Sequence, residues 1–286
     1  MSSALAIDWP ATYIEIAMQR PPDRKSPQVL FSRSANEWIN RIAQMLKQFT
    51  ELGLSVEEKA HLERWLETEF ACSTLMRDEA HVSREQVARL AAQAPDEASA
   101  TAEPDLTVFA HLQAIRKIVE MAQTSGRAAL LTPQLLISLN ESFASESGFR
   151  KTPGDTSRTL KPVSAESLPA AVESACLWYT AESFAELNPI EQASIVLLRL
   201  VEIQPFEQAN LQTALIAASL FTLRSGLPPV IMRPEHDAAF QSALEEGSRT
   251  NTKPMVELIA AAVEKTLSEM IGVIGSNRQK AKGRKR

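Results

Sequence analysis

The chain has 286 residues, of which 44% are hydrophobic and 23% are charged, and its formal net charge is −5. Only 9 residues are glycine, so few positions accept a positive φ without strain, which disfavours a hairpin-rich β architecture and favours helices. The negative net charge argues against a protein body that binds nucleic acid over a broad face.

The amino-terminal segment, residues 1–34, is predicted to be irregular because Pro21, Pro22 and Pro27 interrupt any helix. It lacks the basic start of a secretory signal peptide. No apolar run in the chain reaches the ~18 residues that a membrane helix needs. Two cysteines lie far apart in the chain, which is typical of free thiols in a reducing compartment. These features predict a cytoplasmic protein without a membrane segment.

Residues 35–104 are predicted to form an amino-terminal helical extension. Its first part repeats apolar side chains at intervals of three and four, the spacing of one face of a helix. Two capping pairs predict further helix starts. A polar, alanine-rich linker over residues 91–104 closes the region. The capping pairs are Ser55 with Glu58 and Ser83 with Gln86.

Residues 105–274 are predicted to form the main helical domain. Asp105 is expected to cap a helix that ends at Gly126, and Thr132 with Pro133 predicts the start of another. A polar loop follows over residues 147–162. The domain is expected to end with helices over 234–247 and 254–272, before a basic tail over 275–286.

Two consecutive helices in this domain are apolar on nearly every side. The first starts at Asn188, a capping residue that precedes Pro189 and the acidic Glu191. The second starts near Asn210 and ends at Gly226. Helices that are apolar all round lie inside a domain. The sequence therefore predicts an all-α bundle around a central buried helix hairpin.

The connection between these two helices, QPFEQANLQTAL (204–215), resembles the motif of the Fic (Fido) domain family. Pro205, Phe206 and Asn210 match that motif, and the exit RSGLPPVI (224–231) fits the family pattern. The resemblance extends over roughly residues 105–270. It implies a helical fold and, in typical members, transfer of AMP from ATP to a hydroxyl group of a target protein with the help of Mg²⁺.

The reactive side chains of the family motif are replaced in this chain. A carboxamide cannot act as the general base that a histidine provides, and losing that base costs roughly 10²–10⁴-fold in rate. We therefore expect no catalytic residue, no metal site and no cofactor, since ATP and Mg²⁺ would be needed only by an active site. The replaced positions are Gln204 for the histidine, Gln208 for the acid, Ala209 and Leu211 for two glycines, and Gln212 and Leu215 for two arginines.

A second family feature is also altered. Many Fic proteins carry an amino-terminal inhibitory helix whose glutamate binds the second arginine of the motif. The resemblance places Cys72 and Met76 at its two key positions, and Leu215 at the position of the arginine. Both halves of this inhibitory contact are therefore expected to be missing.

The binding positions that the resemblance retains are Phe206 and Asn210 in the motif, together with Gly148 and Arg150. The last two lie at the start of the loop that corresponds to the target-binding flap of the family; residues 147–162 are called the flap loop below. We expect a protein partner at the flap loop. The sequence does not name that partner and leaves open a homo-oligomer.

The preferred hypothesis is a catalytically inactive Fic-like protein that acts as a protein-binding or regulatory module. One alternative is a related transferase with altered chemistry, which would use Gln204, Asn210 and Gln212 to hold an unusual ligand. Another is a nucleic-acid-associated regulator that acts through the basic tail, although binding of nucleic acid is not expected from the net charge.

Overall fold

The computed structural model of the chain describes residues 33–75, 82–93, 103–144, 148–155 and 162–283. Every regular element in these ranges is helical, which confirms the all-α prediction. Short 3-10 turns occupy residues 126–128, 165–167 and 234–236. The α-helices are α1 (Arg33–Glu51), α2 (Val56–Leu75), α3 (Arg84–Ala91), α4 (Glu103–Ser125), α5 (Pro133–Asn140), α6 (Leu168–Trp178), α7 (Glu182–Ala185), α8 (Pro189–Ile203), α9 (Asn210–Leu223), α10 (Asp237–Ser248) and α11 (Lys253–Gly283).

The helix starts follow the capping residues in the sequence. Before α2, the Ser55 hydroxyl accepts from the Glu58 amide at 3.2 Å, and the Glu58 carboxylate accepts from the Ser55 amide at 2.9 Å. Asn188 and Glu191 form the same reciprocal pair at the start of α8. Each pair supplies acceptors to amide groups that lack a partner within the helix. The predicted caps at Ser83 and Thr132 are also present.

The helix pair α8 and α9 lies at the centre of the bundle, as the sequence predicts. Every residue of α9 from Gln212 to Leu223 is buried. The two helices pack against each other, while α9 also contacts α4, α5 and α2, and α8 also contacts α11. One continuous hydrophobic core joins these helices to α1 and α2. The amino-terminal helices thus share their core with the rest of the bundle.

The carboxyl-terminal helix is longer than predicted. It continues beyond residue 272 as far as Gly283, so most of the predicted tail over 275–286 is helical. The helix packs along α1, and the Arg278 guanidinium binds the Glu58 carboxylate at 2.6 Å and the Leu52 carbonyl at 3.0 Å. These tertiary contacts stabilise the last part of the helix, whose polar sequence does not form an apolar face.

Two helix boundaries predicted in the amino-terminal half of the chain also need correction. Helix α1 starts at Arg33, so the predicted irregular segment reaches at most residue 32, and residues 1–32 lie outside the described ranges. Asp105 does not cap α4, because that helix already starts at Glu103. The Asp105 carboxylate instead accepts hydrogen bonds from the side chains of Gln86, at 2.5 Å, and Arg89, at 3.2 Å. It joins α3 to α4.

The two central helices are largely buried, yet they have only 15 and 14 residues. A helix needs about 20 residues to cross the hydrocarbon core of a bilayer. Within the described ranges, no helix combines the length and the low charge that crossing a membrane requires.

Candidate functional site

The connection between α8 and α9, residues 204–209, is called the motif loop below. A left-handed residue stands at each end: Gln204 has φ 47° and Ala209 has φ 54°. Neither residue is glycine, although this backbone region costs other residues roughly 1–2 kcal/mol. The loop thus keeps a left-handed turn at Ala209, where the family motif has glycine.

Asn210 stabilises the motif loop from within. Its Oδ1 accepts from the Phe206 amide at 2.9 Å, and its Nδ2 donates to the Phe206 carbonyl at 2.7 Å. The Phe206 ring is buried and lies 6.0 Å from the Phe149 ring, between centroids. Phe206 and Asn210, two of the three matching motif residues, therefore have structural contacts, and Asn210 uses both ends of its carboxamide in them.

Like Asn210, Gln204 uses both ends of its carboxamide in hydrogen bonds, in this case to the flap loop. Its Oε1 accepts from the Asp155 amide at 2.8 Å, and its Nε2 donates to the Asp155 carbonyl at 3.0 Å. Only 7% of Gln204 is exposed. The side chain that replaces the family's base is thus buried and bonded at both ends to the backbone of one residue.

Arg150 connects the flap loop to the end of α8. Its guanidinium is buried and donates to the carbonyls of Gln204, at 2.6 Å, of Thr152, at 2.6 Å, and of Val163. Its amide donates to the Pro205 carbonyl at 2.9 Å. Burial lowers the pKa of Arg150 from its ordinary value, and the nearby Glu207 charge opposes that shift. The guanidinium remains charged, because arginine does not deprotonate in proteins.

Glu207 is a site residue that the sequence did not single out. Its carboxylate accepts from the amides of Lys151, at 2.8 Å, and Thr152, at 3.2 Å, and from the Thr152 hydroxyl at 2.6 Å. The Thr152 hydroxyl bond is the main reason that the pKa of Glu207 lies below its ordinary value. Glu207 occupies a position where the family motif accepts any residue, so no sequence signal identified it.

Asn140, at the end of α5, is another site residue that the sequence did not single out. Its Nδ2 donates to the Gln208 carbonyl at 2.9 Å and to the Thr213 hydroxyl at 3.1 Å. It therefore holds the end of the motif loop that leads into α9. Such a contact between residues 68 apart in the chain leaves no local pattern.

The remaining predicted positions lie in different environments. Leu215 is fully buried, and Gln212 is also buried. Gln208 is exposed, and Leu211 is half-buried at the start of α9. The position where many family members carry another histidine is Leu197, which is fully buried in α8. Apolar packing therefore fills two of these positions.

Of the two residues at the predicted inhibitory positions, Cys72 lies within the described residues and Met76 does not. Cys72 lies in α2 and is half-buried, and burial raises the pKa of its thiol to about 11. Next to Cys72, the Ser73 hydroxyl accepts from the Met232 amide at 2.9 Å, which attaches this end of α2 to the segment after α9.

Gly148 and Arg150 lie together at the start of the flap loop. Gly148 has φ 91°, a conformation that glycine adopts without strain. Residues 148–155 and 162 of the flap loop are described, whereas 147 and 156–161 lie outside the described ranges. In the described part, Lys151, Thr152 and Asp155 are exposed. The motif loop and the flap loop therefore form one site.

The sequence comparisons identify the family of this site. The model of the Fic/DOC family matches residues 130–222, which include both loops and the central helix pair. Residues 130–222 are therefore a Fic-family domain. The chain is 32% identical over 113 residues to a protein named Protein adenylyltransferase fic-1 from Caenorhabditis elegans, a match that covers 40% of this chain and 22% of that protein. Protein adenylyltransferase Fic from Culex quinquefasciatus is 30% identical over 90 residues, covering 32% of this chain and 18% of that protein.

Solved structures of Fic proteins share the fold. A Fic-domain-containing signalling protein from Bacteroides thetaiotaomicron superposes with a TM-score of 0.67 at 17% identity, covering 85% of this chain and 98% of that one. Residues 134–508 of Fic-1 from C. elegans superpose with a TM-score of 0.71 at 20% identity, covering 85% and 73%. At these identities the likeness concerns the fold. The sequence matches span only about a fifth of the curated relatives' length.

Proposed function

We propose that this Fic-family protein does not transfer AMP and acts as a protein-binding or regulatory module. The observation that carries the proposal is the contact between Gln204 and Asp155. A general base must be able to take a proton near neutral pH, and a carboxamide cannot. The Gln204 carboxamide, moreover, is bonded at both ends to the Asp155 backbone.

The other side chains at the site support the same conclusion, because they do not suit Mg²⁺ and a triphosphate. Mg²⁺ is usually held by carboxylates, and Gln208 offers only a neutral carbonyl oxygen. Charge-assisted bonds to phosphate need guanidinium or ammonium groups, and Leu215 provides neither. The charged side chains of Arg150 and Glu207 bind the backbone of the flap loop.

A transferase with altered chemistry has less support. It would need the polar side chains of the motif to face a ligand, but Gln204 and Asn210 each use both ends of their carboxamides within the protein. Two cavities among the described residues, of about 20 and 220 Å³, are lined by other parts of the bundle.

The flap loop is the surface that we assign to a protein partner, in a cytoplasmic setting. Its described part exposes the side chains of Lys151, Thr152 and Asp155. Arg150 and Glu207 hold the backbone beneath these side chains, so the surface is attached to the core of the bundle. A role of the basic tail in binding nucleic acid has no comparable support, since the chain has a net charge of −5.

Thermal unfolding with and without Mg²⁺ and ATP tests the proposal. A ligand at 100 times its Kd stabilises the folded state by about 2.7 kcal/mol, so binding raises the melting temperature. We expect no rise at millimolar ATP, and no transfer of labelled AMP to proteins of a cell lysate.

The Gln204→His variant is the matched control for that experiment. It restores the base without the acid, the glycines or the arginines, so we expect it to stay inactive. Transfer of AMP by the parent chain that is lost in Gln204→Ala would contradict the proposal.

A further inference from the structure

The bond pair between Gln204 and Asp155 has the form of a contact between two peptide groups. A carboxamide presents one C=O acceptor and one N–H donor side by side, as backbone does. In this protein it meets the amide and the carbonyl of the same residue, at 2.8 and 3.0 Å. The Gln204 side chain, at the end of α8, therefore pairs with the Asp155 backbone as the backbone of a neighbouring strand would.

The backbone at Gln204 shows that this side chain has a specific role. A left-handed residue at the end of a helix is usually glycine, because other residues are strained there. Gln204 has φ 47° and is not glycine. The Gln204 side chain offsets part of this strain, because its Oε1 and Nε2 both bond to the Asp155 backbone.

Ala209 provides an internal comparison. It has nearly the same backbone conformation, with φ 54° at the other end of the motif loop. Its methyl group makes no hydrogen bond. The two positions therefore differ in what the side chain does, although the backbone strain is alike.

The neighbouring contacts bring the two ends of the flap loop together at Gln204. A Cβ atom at Gly154 would lie 2.5 Å from the Pro162 side chain and 3.0 Å from Gln204 Oε1, so only glycine fits between them. The Arg150 guanidinium binds the carbonyls of Thr152 and Val163, which lie on opposite sides of the loop. The flap loop is thus closed at its base against the motif loop.

From these contacts we propose that Gln204 is a latch that holds residues 150–155 of the flap loop in place on the motif loop in the absence of any ligand. The side chain at the position of the family's base has then become a positioning residue for a binding surface. This inference rests on the proposed function. Its consequence is that a protein partner meets a surface that is already ordered, which lowers the entropic cost of binding.

The test compares hydrogen exchange of the Asp155 amide in Gln204→Gly and in Ala209→Gly. Both changes relieve left-handed strain, but only the first removes the latch. Because a hydrogen bond contributes about 0.5–1.5 kcal/mol, we expect the Asp155 amide to exchange about tenfold faster in Gln204→Gly. In Ala209→Gly we expect its rate to be unchanged. Urea unfolding of the same proteins should show that the global stability of Gln204→Gly is retained.

Equal exchange of Asp155 in the parent and in Gln204→Gly would overturn the inference, as would the same acceleration in Ala209→Gly. If Gln204→Gly does not fold, Gln204→Met replaces it, because methionine keeps the length of the side chain and removes both polar atoms. Faster exchange of Asp155 in that variant supports the latch, and an unchanged rate refutes it.

The outcome is independent of the nucleotide experiment. Exchange is measured without ATP, Mg²⁺ or a partner, so a missing latch leaves the proposed absence of AMP transfer untouched. Conversely, AMP transfer by the parent chain would refute the proposed function even if Asp155 were protected as expected.

Discussion

The individual residues of the motif loop retain structural roles that do not depend on catalysis. Phe206 fills the core, and Asn210 ties the backbone of Phe206 to the start of α9. The replaced positions have also acquired such roles: Leu215 is fully buried, and Gln204 binds Asp155. A single substitution is therefore not expected to restore the family chemistry.

Leu215→Arg tests this expectation at the position of the missing second arginine. Leu215 is fully buried in α9, and a buried charge without a partner costs several kcal/mol. We expect the free energy of unfolding, measured with urea, to fall by about 3–5 kcal/mol. The control Leu215→Met nearly conserves volume and should lose less than about 1.5 kcal/mol. Equal stabilities of the two variants would show that the bundle already accommodates a cation there.

At the scale of the helices, ends that follow capping residues were predicted well, and ends set by tertiary contacts were not. The starts of α2, α5 and α8 lie where the capping residues place them. Helix α11 runs 11 residues beyond the predicted end at residue 272, to Gly283. The helix packs against α1, and Arg278 binds Glu58 at the start of α2. That support comes from more than 200 residues earlier in the chain and leaves no local pattern.

The ion pair between Arg278 and Glu58 predicts a pH dependence. The Arg278 guanidinium is the main cause that lowers the pKa of Glu58 from 4.5 to about 2, followed by the Ser55 amide. A carboxylate with a lowered pKa in the folded state stabilises the protein above its unfolded pKa, and this contribution is lost as the pH falls through the folded value. Thermal unfolding should show Arg278→Ala less stable than the parent at pH 7.

The difference in melting temperature should narrow as the pH falls from about 4.5 to about 2. Glu58→Gln is the matched control, because it removes the charge and leaves Arg278 in place. The variant that carries both Glu58→Gln and Arg278→Ala should be no less stable than Arg278→Ala alone. A difference between Arg278→Ala and the parent that stays constant down to pH 2 would argue against the ion pair as its source.

At the scale of the whole molecule, the shared hydrophobic core determines whether the helices unfold together. The predicted division places residues 35–104 in an extension and 105–274 in the main domain. In the structure, the core of α1 and α2 is continuous with that of the central pair, and α11 packs on both α1 and α8. Elements that share one core are expected to unfold together.

Single-tryptophan variants test this cooperativity in the full chain. One variant keeps only Trp65, in α2, and the other keeps only Trp178, in α6, with the remaining tryptophans changed to phenylalanine. We expect the fluorescence of both to change at the same urea concentration, together with the helical circular dichroism signal. An earlier transition at Trp65 than at Trp178 would mean that the amino-terminal helices form a separate unit.

The sequence alone determined the helical fold, the buried central pair and the resemblance to the Fic family. These properties depend on helical periodicity, on caps within four residues of a helix start, and on a motif of 12 consecutive residues, all of which are local in the chain. It also named Gln204, Asn210, Gly148 and Arg150 as site residues.

Only the tertiary structure decided what those residues do. Gln204 and Asp155 are 49 residues apart, and Arg278 and Glu58 are 220 apart. A hydrogen bond from a side chain to a distant backbone group depends on how the helices pack, and almost any residue type can supply that backbone group. The partner of Gln204 is the amide and carbonyl of Asp155, not its side chain, so no residue pattern could have indicated it.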